Sequence, residues 1–387
     1  MGVKLGLEYF LRELAPGLRG RRVGLATHPG AVTPDLTHCL DALLSAGVRV
    51  TALFAPEHGL AGSVADGATV AHGVHARTGL PIFSLYGATK EPTPAMLADV
   101  DVLVFDMQDI GARFYTFIST LFYVLRGAAR ARTPVIVLDR PNPINGVDVE
   151  GPLVTPGFES FVGIVPIPIR HGLTLGELAR YINGEQALEA DLTIAPLAGW
   201  RRGLWLDETG LPWIPTSPAM PRLSTATVYP GMCLLEGTNV SEGRGTALPF
   251  EVCGAPWIDG ETLAAELNAR ALPGVRFRPT QFVPSASKYA GEVCAGVQGH
   301  VLDRRLLRPV ALGVWLLATL RRLYPESFNW ITPSWEGSLP HIDLLTGCDR
   351  LRNCLDAGEN VPDLLTAWRA DSLQAMPTLR RYDIYPT

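Results

Sequence analysis

Five short apolar runs in the first 150 residues constrain this chain more than any other feature. They cover residues 23–27, 48–54, 82–85, 102–105 and 135–138 and are rich in valine and isoleucine. Their apolar positions are consecutive rather than alternating, as strands buried on both faces require. Candidate helices at residues 35–46, 93–97 and 115–132 lie between them. Strands that alternate with helices predict an α/β fold with a doubly wound, mostly parallel sheet. No Gly-x-Gly-x-x-Gly follows the first run, so a dinucleotide site is not expected.

Four of these runs open into polar loops. The first leads to His28-Pro29-Gly30, and the second to Ala55-Pro56-Glu57-His58-Gly59. The fourth breaks into Asp106, Gln108, Asp109, Arg113 and Tyr115 around Gly111, and the fifth into Asp139-Arg140-Pro141-Asn142-Pro143. Ligands of open α/β sheets sit beyond the carboxyl ends of the strands. Parallel strands would gather all four loops at one edge, and a pocket is expected there.

A domain boundary is expected near Gly151-Pro152, giving units 1–150 and 151–387. The second unit reads as a smaller α+β domain. Its signals are a capping box at Thr174-Leu175-Gly176-Glu177, an amphipathic helix over 259–272, a strand over 275–282 and a buried helix over 310–324. No internal repeat is seen.

Composition narrows the function class. The chain has 387 residues, a net charge of −5 and only 18% charged residues. Without a basic excess, nucleic acid is not an expected partner. The longest apolar run, 310–320, is far short of the ~20 residues of a membrane span. The first residues lack the apolar core of a signal peptide. A cytoplasmic protein is expected, or an exported one if a leader was trimmed. Six cysteines occur without a Cys-x-x-Cys pair, which reads as free thiols in a reducing compartment. Oligomeric state is not legible.

The polar loops suggest acid–base work. Glu57, stiffened by Pro56 and turned by Gly59, sits beside apolar neighbours; desolvation there would raise its pKa, as a general acid at neutral pH needs. His58 follows it. Asp106, Asp109 and Arg113 either pair internally to fix their loop or supply a carboxylate for developing positive charge and a cation for an anionic substrate group. Tyr115 could close the site or stack on a sugar. Arg140 and Asn142 offer directed donors, or Asp139 and Arg140 pair with each other. Arg170 and His171 precede the capped helix. The stretch 236–246 is dense in ligand-type groups: Glu236, Asn239, Ser241, Glu242, Arg244 and Thr246, with three glycines. It lacks the lysine of a phosphate loop. No His-Glu-x-x-His and no Gly-x-Ser-x-Gly occurs, so neither a zinc protease nor a serine hydrolase is supported. Carboxylates, guanidinium groups and amides without a metal or cofactor motif fit glycoside hydrolysis best. That reaction needs one protonated and one ionised carboxyl across the scissile bond.

The same residues carry a family resemblance. FAPEHG (54–59), SLYG (84–87), VLVFDMQDIGARFYTFIST (102–120), VLDRPNPINGVDVEGP (137–152), IPIRHGLTLGELA (167–179), TGLPWIPTSPAMP (209–221), YPGMCLLEGTNVSEGRGTALPFEVCGAPW (229–257) and FVPSASKYAG (282–291) cover most of residues 23 to 300 in order. They resemble the exo-β-N-acetylmuramidase family, formerly a domain of unknown function. The resemblance implies a Rossmann-like N-terminal domain, a smaller C-terminal domain and an active cleft between them. It also implies release of terminal N-acetylmuramic acid from the non-reducing ends of peptidoglycan fragments, with Glu57 at the position of the family's catalytic glutamate. No cofactor and no metal are implied. The second carboxylate is left open among Asp106, Asp109, Glu236 and Glu242. Arg113, Arg140, Arg170 and Arg244 are candidates for the lactyl carboxylate, and Asn142 and Asn239 for N-acetyl or hydroxyl groups. Two departures stand out: Ala219 replaces a usual asparagine, and Ala61 replaces a common arginine. The alternatives are a non-catalytic cell-wall saccharide-binding protein, a lyase or etherase acting on the lactyl ether, and, with least support, a nucleotide-sugar enzyme.

Overall fold

A computed structural model describes residues 2–65, 67–334 and 337–386. The apolar runs form strands β1 (Arg22–Thr27), β2 (Arg49–Ala55), β4 (Pro81–Ser84), β5 (Val102–Asp106) and β6 (Val135–Leu138), joined by a short β3 (Gly73–Val74) and by β7 (Leu192–Ala195). They make one seven-stranded sheet in the order β3-β4-β2-β1-β5-β6-β7. Only β3 runs antiparallel to its neighbour. Leu103 and Phe105 of β5 pack into one apolar layer, while Val102 and Val104 pack into the other. Burial on both faces explains the unbroken apolar runs.

Helices α1 (Gly6–Tyr9), α2 (Cys39–Ser45), α3 (Pro94–Leu97), α4 (Phe117–Ala131) and α5 (Leu175–Glu185) accompany this sheet. The expected helix at 35–46 is shorter because Thr33 draws its neighbours into a turn. Its hydroxyl accepts from the Thr37 amide at 3.0 Å, and its own amide donates to the Thr37 carbonyl at 2.9 Å. The helix then starts behind His38, whose Nδ1 accepts from the Leu40 amide. The capping box at Thr174 forms as read, each partner accepting the other's amide. Buried Asp139 anchors the same helix start. It accepts from the Gly176 amide at 2.7 Å, the Thr174 hydroxyl at 2.7 Å and the Tyr385 hydroxyl at 2.6 Å. Burial pushes its carboxyl up to about 6.

The sheet runs past the boundary expected at residue 150, since β7 pairs with β6 and α5 packs beside α4. Beyond it come α6 (Leu223–Met232), β8 (Val252–Ala255), α7 (Gly260–Ala269), β9 (Val275–Phe282), β10 (Cys294–Val301), α8 (Pro309–Leu323), α9 (His341–Thr346), α10 (Arg350–Ala357) and α11 (Val361–Arg380). The three strands form a small antiparallel sheet in the order β8-β10-β9. The expected helices at 259–272 and 310–324 and the strand at 275–282 correspond to α7, α8 and β9. Among the described residues no helix is long and apolar enough to cross a membrane.

Helices α6 and α8 cross at two glycines. A Cβ on Gly231 would lie 1.7 Å from the Pro309 carbonyl oxygen, and one on Gly313 would lie 2.3 Å from the Gly231 carbonyl oxygen. Backbone cannot yield as a side chain can, so the helices would have to part. Gly231→Ala is expected to cost about 3 kcal/mol, read as a lower urea midpoint. An unchanged midpoint would show that the crossing relaxes freely.

Candidate active site

Glu57 lies on the loop that leaves the carboxyl end of β2. The Gly59 amide donates to the Pro56 carbonyl at 3.1 Å, which places Glu57 and His58 at the two corners of a turn. His58 adopts φ +69°, a conformation that side chains rarely tolerate. Its Nδ1 lies 2.9 Å from the Val64 carbonyl, which holds the ring in place. Backbone strain of this kind gathers at functional sites.

Glu57 is 8% exposed, and its carboxyl accepts from the Thr116 hydroxyl at 2.7 Å and the Gly67 amide at 3.0 Å. Thr116 stands at the N-cap of α4, yet its side chain makes no capping bond. Its hydroxyl is given to Glu57 instead. Because β1 pairs with both β2 and β5, the Glu57 loop and the β5–α4 loop flank the end of β1. Tyr115 donates its hydroxyl to Thr216 at 2.6 Å and packs edge-on against Phe117 and Tyr229.

The opposite wall comes from the second unit. Arg244 donates to Glu236 at 2.6 Å through Nη2 and lies 3.4 Å from Glu242 through Nε. Its guanidinium sits 4.9 Å from the Phe250 ring centre, within cation–π range. Lys288, on the β9–β10 hairpin, reaches Glu242 at 2.9 Å. Glycine is required at 245: with φ +76°, a Cβ there would meet the Ala286 amide nitrogen at 2.5 Å. That close approach presses the hairpin onto the Glu236–Arg244 loop.

Between the two walls is a cavity of about 970 Å³. Glu57, His58, Tyr115, Glu236, Glu242 and Arg244 all line it. Of the fifteen site residues expected from the sequence, these six are brought together. Its volume lies within the range of small-ligand pockets. Among the described residues, no group of three or more His, Cys, Asp or Glu side chains is placed to hold a metal ion.

The other nine are not on its lining, and each is occupied elsewhere. Asp106 and Arg140 form a buried two-pronged ion pair, at 2.5 and 2.9 Å, with Arg140 also donating to the Val32 carbonyl. Asp109 accepts from the Gly111 amide at 2.7 Å and lies 3.2 Å from His171. Gln108 donates to the Asp109 and Pro141 carbonyls. Arg113 donates to three carbonyls, of Pro152, Ile167 and Leu345, and so ties the sheet to α9. Burial pulls its pKa down to about 9. Arg170 donates to the Ile144 carbonyl and pairs with Asp148 and Glu150. Asn142 donates to the Leu173 carbonyl, and Asn239 to that of Ser327. The loops after β1, β5 and β6 therefore close largely on one another, and only the far end of the β5–α4 loop reaches the cavity.

Residues 23–224 match the family described as "Exo-beta-N-acetylmuramidase NamZ, N-terminal", and residues 227–385 match its C-terminal counterpart. The chain belongs to this family. It is 42% identical to the peptidoglycan beta-N-acetylmuramidase NamZ of Bacillus subtilis (strain 168) over 384 residues, 99% of this chain and 91% of that one. Two DUF1343 family crystal structures from Bacteroides fragilis NCTC 9343 share the fold. One has a TM-score of 0.89 at 36% identity, covering 99% of each chain. The other has a TM-score of 0.77 at 29% identity, covering 100% of this chain and 99% of that one.

The resemblance and the fold class expected from the sequence are thus borne out. Of the two departures from the family pattern, Ala219 lies on the cavity wall, so the missing asparagine falls inside the site. Ala61 instead lines a separate groove behind the Glu57 loop. Sequence reasoning passed over Thr116, Tyr86, Ser217, Tyr229 and Lys288, all of which line the cavity. Each sits inside or beside a quoted family motif, but a threonine after a tyrosine, or a lysine in a Ser/Ala-rich turn, carries no chemical signature of its own.

Proposed function

We propose that the chain cleaves terminal β-linked N-acetylmuramic acid from the non-reducing ends of peptidoglycan fragments, with Glu57 as the general acid. The observation that carries this reading is the meeting, in one cavity, of Glu57 from the sheet edge with Glu236, Glu242 and Arg244 from the opposite wall. Two sources of carboxylate across a sugar-sized space are what glycoside hydrolysis needs. The second carboxylate is Glu236 or Glu242; Asp106 and Asp109 are committed to Arg140 and to the Gly111–His171 contacts. Arg244 supplies the cation for the lactyl carboxylate, the group that separates muramic acid from glucosamine. All six cysteines are free and buried. That fits a reducing compartment and hence soluble saccharide fragments as substrate.

The test is hydrolysis of a chromogenic N-acetylmuramic acid β-glycoside beside its N-acetylglucosamine analogue, with and without chelator. Release from the muramic substrate alone, unaffected by chelator, is expected. Saccharide binding without product would favour a binding protein, and release of lactate would favour an etherase. Arg244→Met should raise KM for the muramic substrate about tenfold or more and shrink the preference over the analogue. An unchanged preference would remove Arg244 from lactyl recognition.

A further inference from the structure

Thr116 is the last residue before α4, where a hydroxyl would ordinarily cap the helix. A cap residue adopts an extended backbone, so that its side chain can accept from the amides of the first turn. Thr116 does not. Its φ and ψ are −64° and −10°, already helical, and its side chain makes no capping bond. The hydroxyl turns instead to Glu57, 59 residues away in the chain, and donates to Oε2 at 2.7 Å. The same carboxyl accepts at Oε1 from the Gly67 amide at 3.0 Å. Thr116 and Gly67 both line the cavity. A bond that would stabilise a helix end is thus forgone for one that holds a side chain of the site.

The two donors on Glu57 are chemically unlike. A backbone amide can only donate. Oε1 therefore faces a donor in every protonation state of the carboxyl, which suits the carbonyl oxygen of an acid. A hydroxyl both donates and accepts. Oε2 can carry a proton beside Thr116, with the hydroxyl bonded to its other side, or it can carry a negative charge there. The two partners thus place the acid proton on Oε2.

We infer that Thr116 is a positioning residue for the reaction, acting through Glu57, and that the proton leaves from Oε2. The inference rests on the glycosidase reading above. As the glycosidic C–O bond breaks, its electron pair goes to the leaving sugar oxygen, which takes the proton from Oε2. The pair of the Oε2–H bond stays on Oε2 as negative charge. The anomeric carbon is met from the opposite face by the second carboxylate or by water. A hydrogen bond to a charged oxygen is about twice as strong as one to a neutral oxygen. The Thr116 bond therefore tightens as the proton departs. An interaction that is stronger in the transition state than in the bound substrate acts on kcat rather than on KM. The positive end of α4, which begins at Phe117, favours the same charge.

Thr116→Val removes the hydroxyl and keeps the shape. On a disaccharide ending in N-acetylmuramic acid it is expected to lower kcat about tenfold, with KM and Tm near wild type. Thr116→Ser should restore most of that loss. A nitrophenyl glycoside of the same sugar should be much less affected, because its leaving group departs with little need of a proton. In a Glu57→Gln background, where no acid proton is left to give, Thr116→Val should cost far less, because residues that act through one another are not additive. Equal loss on both substrates, or in both backgrounds, would reduce Thr116 to a structural contact. So would a rise in KM or a fall in Tm in step with kcat. Wild-type kcat in a folded Thr116→Val would overturn the inference outright. If Thr116→Val does not fold, Thr116→Ala against Thr116→Ser carries the same comparison, and equal turnover in those two overturns the inference. Wild-type turnover of the disaccharide by a folded Glu57→Gln would instead overturn the underlying reading, which separates the two failures.

Discussion

Glu57→Gln is expected to abolish most turnover of a natural disaccharide while leaving the fold intact. The substitution is nearly isosteric. Its amide oxygen can still accept from the Gly67 amide, and its NH₂ can donate to the Thr116 hydroxyl oxygen in place of the bond now running the other way. What it lacks is a proton to give the leaving sugar oxygen. General acid catalysis contributes about 10²–10⁴-fold, so a loss of that size is expected in kcat. The leaving group sharpens the test. A nitrophenolate departs with little need of protonation, so Glu57→Gln should damage the nitrophenyl glycoside much less than the disaccharide. If Glu57 were the nucleophile or the base, both substrates would suffer alike. A folded variant with wild-type activity on the disaccharide would remove Glu57 from the chemistry.

The sheet was legible in the sequence because strands buried on both faces leave an unmistakable mark, and five of its seven strands were read within a residue or so of their ends. β3 and β7 were not, since two and four residues give too little pattern to separate from a loop. The three C-terminal helices went unplaced as well. Helix α10 is strongly charged and α11 has Pro377 within it, which blurs the helical period. The candidate site was legible in the Glu57 loop, in Tyr115 at the far end of the β5–α4 loop and in the 236–246 stretch, but not in the loops after β1 and β6, which do not line the cavity. Sequence shows which residue types follow each strand, but not which of them find each other. Arg140 follows β6 and Asp106 ends β5, two strands that are neighbours in the sheet, so their side chains meet and cancel. Arg113 looks like an anion-binding residue until its three carbonyl partners, drawn from residues 152, 167 and 345, are seen around it. Glu57 escapes this fate because β2 lies on the other side of β1, where the opposing carboxylates come from the second unit.

Asp106→Asn should therefore separate stability from catalysis. Asp106 is fully buried and Arg140 nearly so, and they meet through two hydrogen bonds. Replacing the carboxylate by an amide leaves the guanidinium in the same dry place without its ion-pair partner. Its remaining bond to the Val32 carbonyl, at 3.0 Å, cannot offset a full charge. Breaking one side of a buried pair costs about 3–5 kcal/mol, a large part of the stability of an ordinary domain. The variant should show a markedly lower urea midpoint. The fraction that remains folded should hydrolyse the muramic glycoside with nearly wild-type kcat, because neither residue lines the cavity. The reverse result, unchanged stability with lost turnover, would mean that Asp106 acts on substrate after all and that the loops after β5 and β6 open during catalysis. Asp106→Asn and Glu57→Gln thus form a matched pair. Both replace a buried carboxylate at the carboxyl end of the same sheet, yet one is expected to lose its fold and the other its chemistry, according to whether the partner is a buried guanidinium or a hydroxyl at the edge of a cavity.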